Sequence, residues 1–253
     1  MRLKVFVTGF FCFILPPCEF KNWLLSVFGW QMGSNCRVGF SWISTKRVRL
    51  ANGARVGHAN LIVADALFLA NNAYIGHLNR VTGPLWLVLD EQAGVGNQNK
   101  IVRAQNGVSW GHAICRLGKW SKITVEHIVD CTRSVTIGDY SILAGRGSQL
   151  WTHGYLHAPQ GLGRFRIDGS IRIGSNVYIG SACVFNAGVH VADAITIGAS
   201  SCVARSLDVP GLYVSQPLRH IELNYEEAAR RHPEVQVEGL VERVVNKHSS
   251  IKP

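Results

Sequence analysis

Residues 171–210 read IRIGSNVYIGSACVFNAGVHVADAITIGASSCVARSLDVP. A large apolar residue followed by a small one returns every six positions, at Ile173-Gly174, Ile179-Gly180, Phe185-Asn186, Val191-Ala192, Ile197-Gly198, Val203-Ala204 and Val209-Pro210. Two positions ahead of each stand Ile171, Val177, Cys183, Val189, Ile195, Ser201 and Leu207, also mostly apolar. Two inward residues in six describe a short strand followed by a corner. A period of six fits neither the 3.6-residue repeat of a helix nor the plain alternation of a strand pair. It is the signature of a parallel β-helix, in which three hexapeptides make one triangular turn and each turn pairs with the next. The glycine after the aliphatic residue is expected to ease the turn at each corner.

Working outward, the period continues upstream with interruptions through Val38-Gly39, Leu50-Ala51, Val56-Gly57, Ile75-Gly76, Val95-Gly96 and Ile137-Gly138. About 180 residues therefore read as coil, roughly ten turns. Breaks in phase near 70 and 90, and between 104 and 134, predict loops or irregular turns. The period lapses again across Tyr155–Arg166, which predicts a loop at 154–166. Past Asn224, a helix cap with Glu226 and Glu227 in the first turn predicts a helical segment that covers the last coil. The resulting division is an apolar N-terminal segment at 1–34, a β-helix domain at 35–215 and a C-terminal helical segment at 216–253.

Composition narrows the function. Seven cysteines with no CxxC pair indicate neither a disulfide framework nor a zinc site, and a reducing cytoplasm suits them. Cys183 and Cys202 fall within the repeats and read as small core residues. The net charge of +10 calls for an anionic partner, but its cations are scattered along the chain, which argues against nucleic acid. Phosphorylated cofactors, sugar phosphates or an acidic membrane surface remain. At the N-terminus, Val5–Leu15 is apolar but too short to span a bilayer, ends at Pro16-Pro17 and lacks an A-x-A cleavage site. With Trp23–Trp30 beyond it, the segment reads either as an interfacial anchor at the inner face of the cytoplasmic membrane or as a cap on the first coil.

The repeats, together with the tail Ile197–Arg205 and Pro210–Arg219, resemble the hexapeptide-repeat acetyltransferases, and within them the sugar and polysaccharide O-acetyltransferases. The likeness is strongest over 135–221. It implies an all-β, left-handed parallel β-helix of hexapeptide repeats with short helical ends, normally a homotrimer with acetyl-coenzyme A in the cleft between neighbouring coils. It also implies acetyl transfer to the hydroxyl of a sugar or lipid-linked oligosaccharide, with no metal.

Residue by residue, the resemblance makes His153, in Trp151-Thr152-His153-Gly154, the general base, with His157 in reserve. A sugar hydroxyl attacks a thioester poorly until its proton is removed, and imidazole suits that task near neutrality. Ser181 matches a position that contacts coenzyme A, Ala199 matches a small residue beside the pantetheine arm, and Arg205 and Arg219 match basic residues near the nucleotide phosphates. The usual Gly-Asn-Pro-Ala ending reads Ser215-Gln216-Pro217-Leu218 here. Rival readings are an N-acetyltransferase acting on an amino-sugar nucleotide and a non-catalytic β-helix assembly platform. The ten histidines do not follow the spacing of a γ-type carbonic anhydrase, and the loop after His153 lacks the pattern of an antibiotic acetyltransferase.

Overall fold

A computed structural model of the chain describes residues 2–105 and 108–215, all within one compact unit, Met1–Ser215. The stretch 216–253, on which the expected C-terminal helix and Arg219 fall, lies outside the described residues.

Short parallel strands wind into a three-faced coil. The first face stacks nine strands, from Arg37–Val38 to Gly211–Tyr213. The second runs from the start of Trp42–Leu50 to Cys202–Val203, and the third from Gln31–Met32 to His190–Val191. These two faces form one 14-stranded sheet because Trp42–Leu50 and Leu61–Leu69 run unbroken around the corner between them. Nine ranks replace the roughly ten turns expected, because coil length varies and two excursions use residues. Partners lie 18 residues apart at Arg37↔Arg55, 19 at Arg55↔Tyr74 and 20 at Tyr74↔Gly94. The phase breaks near 70 and 90 are therefore coils lengthened by one or two residues and not loops. Likewise, among the described residues between 104 and 134, only those before Ala113 leave the coil, since Ile114–Leu117, Lys122–Val125 and Ile128–Asp130 pair in register.

The inward set matches the sequence pattern: Ile173, Ile179, Phe185, Val191, Ile197 and Val203 are all buried. Val209 is exposed, because the coil shortens there and Leu207 bridges back to Val191. Cys202 is exposed too, a correction to its reading as a core residue: strand alternation turns it outward beside inward Val203.

The corners differ in chemistry. Between the first and second faces, Ala59, Leu78, Gln98, Glu126, Ala182 and Ser200 hold the left-handed conformation, each at a cost of about 1 kcal/mol. Between the third and first faces, Asn35, Asn72, Gln92, Trp120, Tyr140, Asn176 and Ala194 do the same. The glycines that mark the repeats stand elsewhere. A Cβ on Gly39 would sit 2.5 Å from the carbonyl oxygen of Gly57 in the next coil, so close approach between coils, and not an unusual φ, requires glycine there. The corner between the second and third faces has no such regular device, and both excursions leave from it.

Inside the first of these corners runs a ladder of buried polar residues, Ser41, Asn60, Asn79, Asn99, His127 and Ser148. Each accepts the backbone N–H of the next rung: Asn79 N–H donates to Asn60 Oδ1 at 2.9 Å, His127 N–H to Asn99 Oδ1 at 2.9 Å and Ser148 N–H to His127 Nδ1 at 3.1 Å. His127 is the one ionisable rung, and burial pushes its imidazole down from 6.5 to about 4. The unfolded chain takes up that proton as pH falls below about 6.5, whereas the folded chain resists until about 4. The associated stability is thus complete above 6.5 and lost between 6.5 and 4, a loss of about 3 kcal/mol. His127→Asn, which extends the asparagine rungs, is expected to flatten this acid limb. Urea unfolding at neutral and acid pH reads the difference, and an unchanged slope in the variant would absolve His127.

Helix α2 (Glu19–Val27) buries Leu25 at the N-terminal opening of the coil, and α1 (Arg2–Ile14) lies against Trp42, whose ring is 5.3 Å from that of Phe6. Lys21 locks them together. Fully buried, its ammonium shares its three N–H groups among the carbonyls of Cys12 at 2.7 Å, Leu15 at 2.9 Å, Val38 at 2.9 Å and Gly39 at 3.0 Å. Desolvation lowers its pKa, and the carbonyl ring at the end of α1 compensates for that burial.

Candidate active site

The corner between the second and third faces carries both excursions. The first, at 103–112, is stapled by Arg103, which donates to the carbonyls of Pro84 at 2.6 Å, Trp110 at 3.0 Å and Gly111 at 2.8 Å. The second is not the loop expected at 154–166 but an antiparallel hairpin, His153–His157 with Arg164–Asp168. Its residues alternate by face as a two-stranded ribbon requires. One side presents His153 opposite Asp168, Tyr155 opposite Arg166 and His157 opposite Arg164; the other presents Leu156 opposite Phe165, both exposed. The hexapeptide period lapses here because the alternation changes to a simple two.

Between the excursions passes the strand Ile128–Asp130, and its last residue organises the site. Asp130 is buried and accepts from five donors. Its Oδ1 takes Thr132 Oγ1 at 2.9 Å and Thr132 N at 3.3 Å, and its Oδ2 takes Thr152 Oγ1 at 2.5 Å, Thr152 N at 3.0 Å and His153 Nδ1 at 2.9 Å. A carboxylate oxygen in that company only accepts, so Nδ1 carries the ring proton and Nε2 keeps its lone pair. The His153 side chain is 27% exposed against 6% for Asp130, which leaves the ring reachable while its orienting partner is dry. Trp151 and Tyr155 flank the ring edge-on at 6.3 and 6.0 Å.

The two excursions are bound to each other beside His153. Trp110 Nε1 donates to Asp168 Oδ2 at 2.8 Å, Arg166 grips both Asp168 oxygens through Nε and Nη2 at 2.6 and 2.9 Å, and its third nitrogen, Nη1, donates to the Val108 carbonyl. Burial alone would raise the Asp168 carboxyl, but the hydrogen bonds from Arg166 and Trp110 outweigh it and hold its pKa below the usual range. Arg133 stacks on the Trp110 ring at 3.9 Å, giving the wall an exposed aromatic and cationic rim.

His157 sits at the far rung of the same hairpin face, exposed, beyond Tyr155. Ser181 and Ala199 lie together at the corner between the first and second faces, one coil apart, where a Cβ on Gly145 would strike the Ser181 hydroxyl. Arg205 is exposed on the His153 corner, two coils further on. The chain thus places His153 and Arg205 on one edge of the second face and Ser181 and Ala199 on the other. Sequence reading missed Asp130. Its signal was a carboxylate at the position after inward Val129, where the repeat wants a small residue. Among the described residues, no group of His, Cys, Asp and Glu is arranged to hold a metal ion.

A parallel β-helix with a carboxylate-oriented histidine at the root of an arm is the class these features define. Among solved structures, the chain is similar to the polySia-specific acetyltransferase NeuO, with a TM-score of 0.52 and 16% identity over 80% of this chain and 89% of that one. It also matches AntD, an N-acyltransferase from Bacillus cereus solved with dTDP and 3-hydroxybutyryl-CoA, at a TM-score of 0.33 and 15% identity over 83% of this chain and 92% of that one. No protein-family model and no curated protein matches the chain. The likeness to NeuO speaks for the fold alone, a left-handed parallel β-helix.

Proposed function

We propose that the chain transfers an acetyl group from acetyl-coenzyme A to a sugar hydroxyl, in the assembly of a surface polysaccharide. The observation that carries the reading is the Asp130–His153 pair, with Nε2 free at the root of an arm that walls a site. Nε2 accepts the sugar proton as the oxygen attacks the thioester carbonyl. The tetrahedral intermediate then expels the coenzyme A sulfur, which takes the proton back from the imidazolium. Trp110, Arg133 and the hairpin bound the acceptor side, since sugars stack on exposed aromatic rings. Ser181 contacts coenzyme A, Ala199 lies beside its pantetheine arm and Arg205 meets a nucleotide phosphate, for which a guanidinium is the natural partner. The exposed Leu156 and Phe165 side of the hairpin supports a homotrimer in which a neighbouring copy completes the cleft.

The test is turnover of acetyl-coenzyme A against a panel of neutral sugars, acidic sugars and amino-sugar nucleotides. The expected result is a base-labile acetyl ester on one sugar class. A base-stable amide would move the reading to N-acetylation, and no turnover with any acceptor would favour the assembly platform.

A further inference from the structure

The inner sides of α1 and α2 are accounted for by Cys12, Lys21 and Leu25, all fully buried. Their outer sides are not. On α1, Phe10 and Phe13 recur at helical spacing, and on α2 so do Phe20, Trp23 and Val27; each is between 45% and 64% exposed. Phe20 and Trp23 stack on each other at 5.9 Å, pointing away from the coil. Exposed aromatic side chains gathered on two packed helices with no buried use for them mark a docking face.

Charge identifies the occupant. The first 60 residues hold eight Lys and Arg against the single acid Glu19, so seven of the ten net positive charges of the whole chain sit there. Of these cations, Lys4 is exposed on α1, Arg37 follows Cys36, whose carbonyl accepts from Asn22 of α2 at 2.8 Å, and Arg47 and Arg49 are exposed on the first coil, where Lys46 is paired with Asp65 at 2.6 Å. Exposed aromatic side chains on a segment with excess positive charge suit the boundary of an anionic bilayer, where rings bury in the headgroup region and cations meet phosphate. No helix among the described residues is long and apolar enough to cross a membrane, and the 13 residues of α1 suffice only to lie in its surface. The Lys21 lock holds both helices in place beforehand, so docking need not order them.

We infer that the outer face of α1 and α2 is a docking surface for an anionic phospholipid bilayer. The same element reaches the catalytic corner. Val5 and Phe6 of α1, with Val63, Pro84 and Gln105, line a groove of about 820 Å³ on the corner that carries His153 further along. Five coil spacings separate Lys46 from Thr152 on that corner, about 24 Å. On the acetyl-transfer reading, a docked chain therefore meets acceptors whose sugar stands off the bilayer on a lipid carrier.

Flotation of the full chain with vesicles tests the inference. Wild type is expected to float with vesicles of phosphatidylglycerol and phosphatidylcholine and to remain behind with phosphatidylcholine alone. Phe13→Gln combined with Trp23→Gln, both at exposed positions, is expected to weaken partitioning at least about tenfold with the melting temperature unchanged. Should that variant melt early, Lys4→Gln with Arg37→Gln serves in its place, with a loss that is largest at low salt. Wild type that fails to float, or variants that bind as wild type does, would overturn the docking surface. So would a wild-type oligomer that the aromatic variant dissolves without any vesicle binding, which would assign the face to a second copy. Because flotation does not read catalysis, its failure leaves the acetyl-transfer reading intact.

Discussion

His153→Ala is expected to lower acetyl transfer by about 10²- to 10⁴-fold while coenzyme A affinity, measured by calorimetry, stays at the wild-type value. The size follows from the role: removing a general base leaves binding and positioning in place and forfeits only the proton transfer. The fold should tolerate the change, because the side chain is partly exposed and the hairpin rungs at 153 and 168 pair through backbone. Asp130 keeps the donors from Thr132 and Thr152 when the imidazole is gone. His157→Ala is the matched control. It removes an exposed ring with no carboxylate partner among the described residues, and transfer should persist. A dead His157 variant beside an active His153 variant would reassign the base to His157.

The coil itself was legible because burial imposes its period directly on the chain. Every large residue from Ile173 to Val203 at the six-residue spacing faces inward, and no helix or hairpin yields that recurrence. The repeat glycines were right as markers and wrong as to cause. Gly39 and Gly57 are small because the carbonyls of Gly57 and Gly76 in the next coils approach them, contacts 18 and 19 residues away that a local reading attributes to the turn. Left-handed corners were nearly invisible, since Leu78, Trp120 and Tyr140 hold a conformation that sequence preference assigns to Gly or Asn.

The candidate site was half legible for a related reason. His153 announces itself by ending a coil before the period lapses, whereas Asp130 acts from one coil earlier, 23 residues away in sequence. The pairing of Ile128 with Gln149 and Val129 with Leu150 sets that juxtaposition, and only a register reveals it. Trp110 is more remote still: it reaches Asp168 across 58 residues because two excursions leave the same corner. Positive charge was legible but overlooked: Lys and Arg are scattered along the whole chain, whereas the acids are nearly absent from its first 60 residues, which therefore hold seven of the ten net charges.

Asp130→Asn is the sharpest test of the pair. The substitution keeps the volume but replaces one carboxylate oxygen with an NH₂ group, in a pocket where every neighbour is a donor. If the amide oxygen faces Thr152 and His153, the NH₂ confronts the Thr132 N–H; if it is turned, the NH₂ confronts His153 Nδ1. In the second arrangement the imidazole must present a lone pair at Nδ1 and carry its proton on Nε2, the atom that should accept from the sugar. Turnover is therefore expected to fall by about 10²- to 10⁴-fold, the scale seen when an orienting carboxylate is lost and its histidine adopts the wrong tautomer. KM for either substrate should hold, because Asp130 is buried and acts as a positioning residue through His153. Stability should drop by about 1–3 kcal/mol for the unsatisfied donor, measurable by urea unfolding. Nitrogen chemical shifts of the His153 ring separate positioning from mere destabilisation: the wild-type ring should report a protonated Nδ1, and the variant a shift of the proton to Nε2. A variant that keeps full turnover with its ring tautomer unchanged would show that Asp130 holds the corner together and leaves His153 to orient itself.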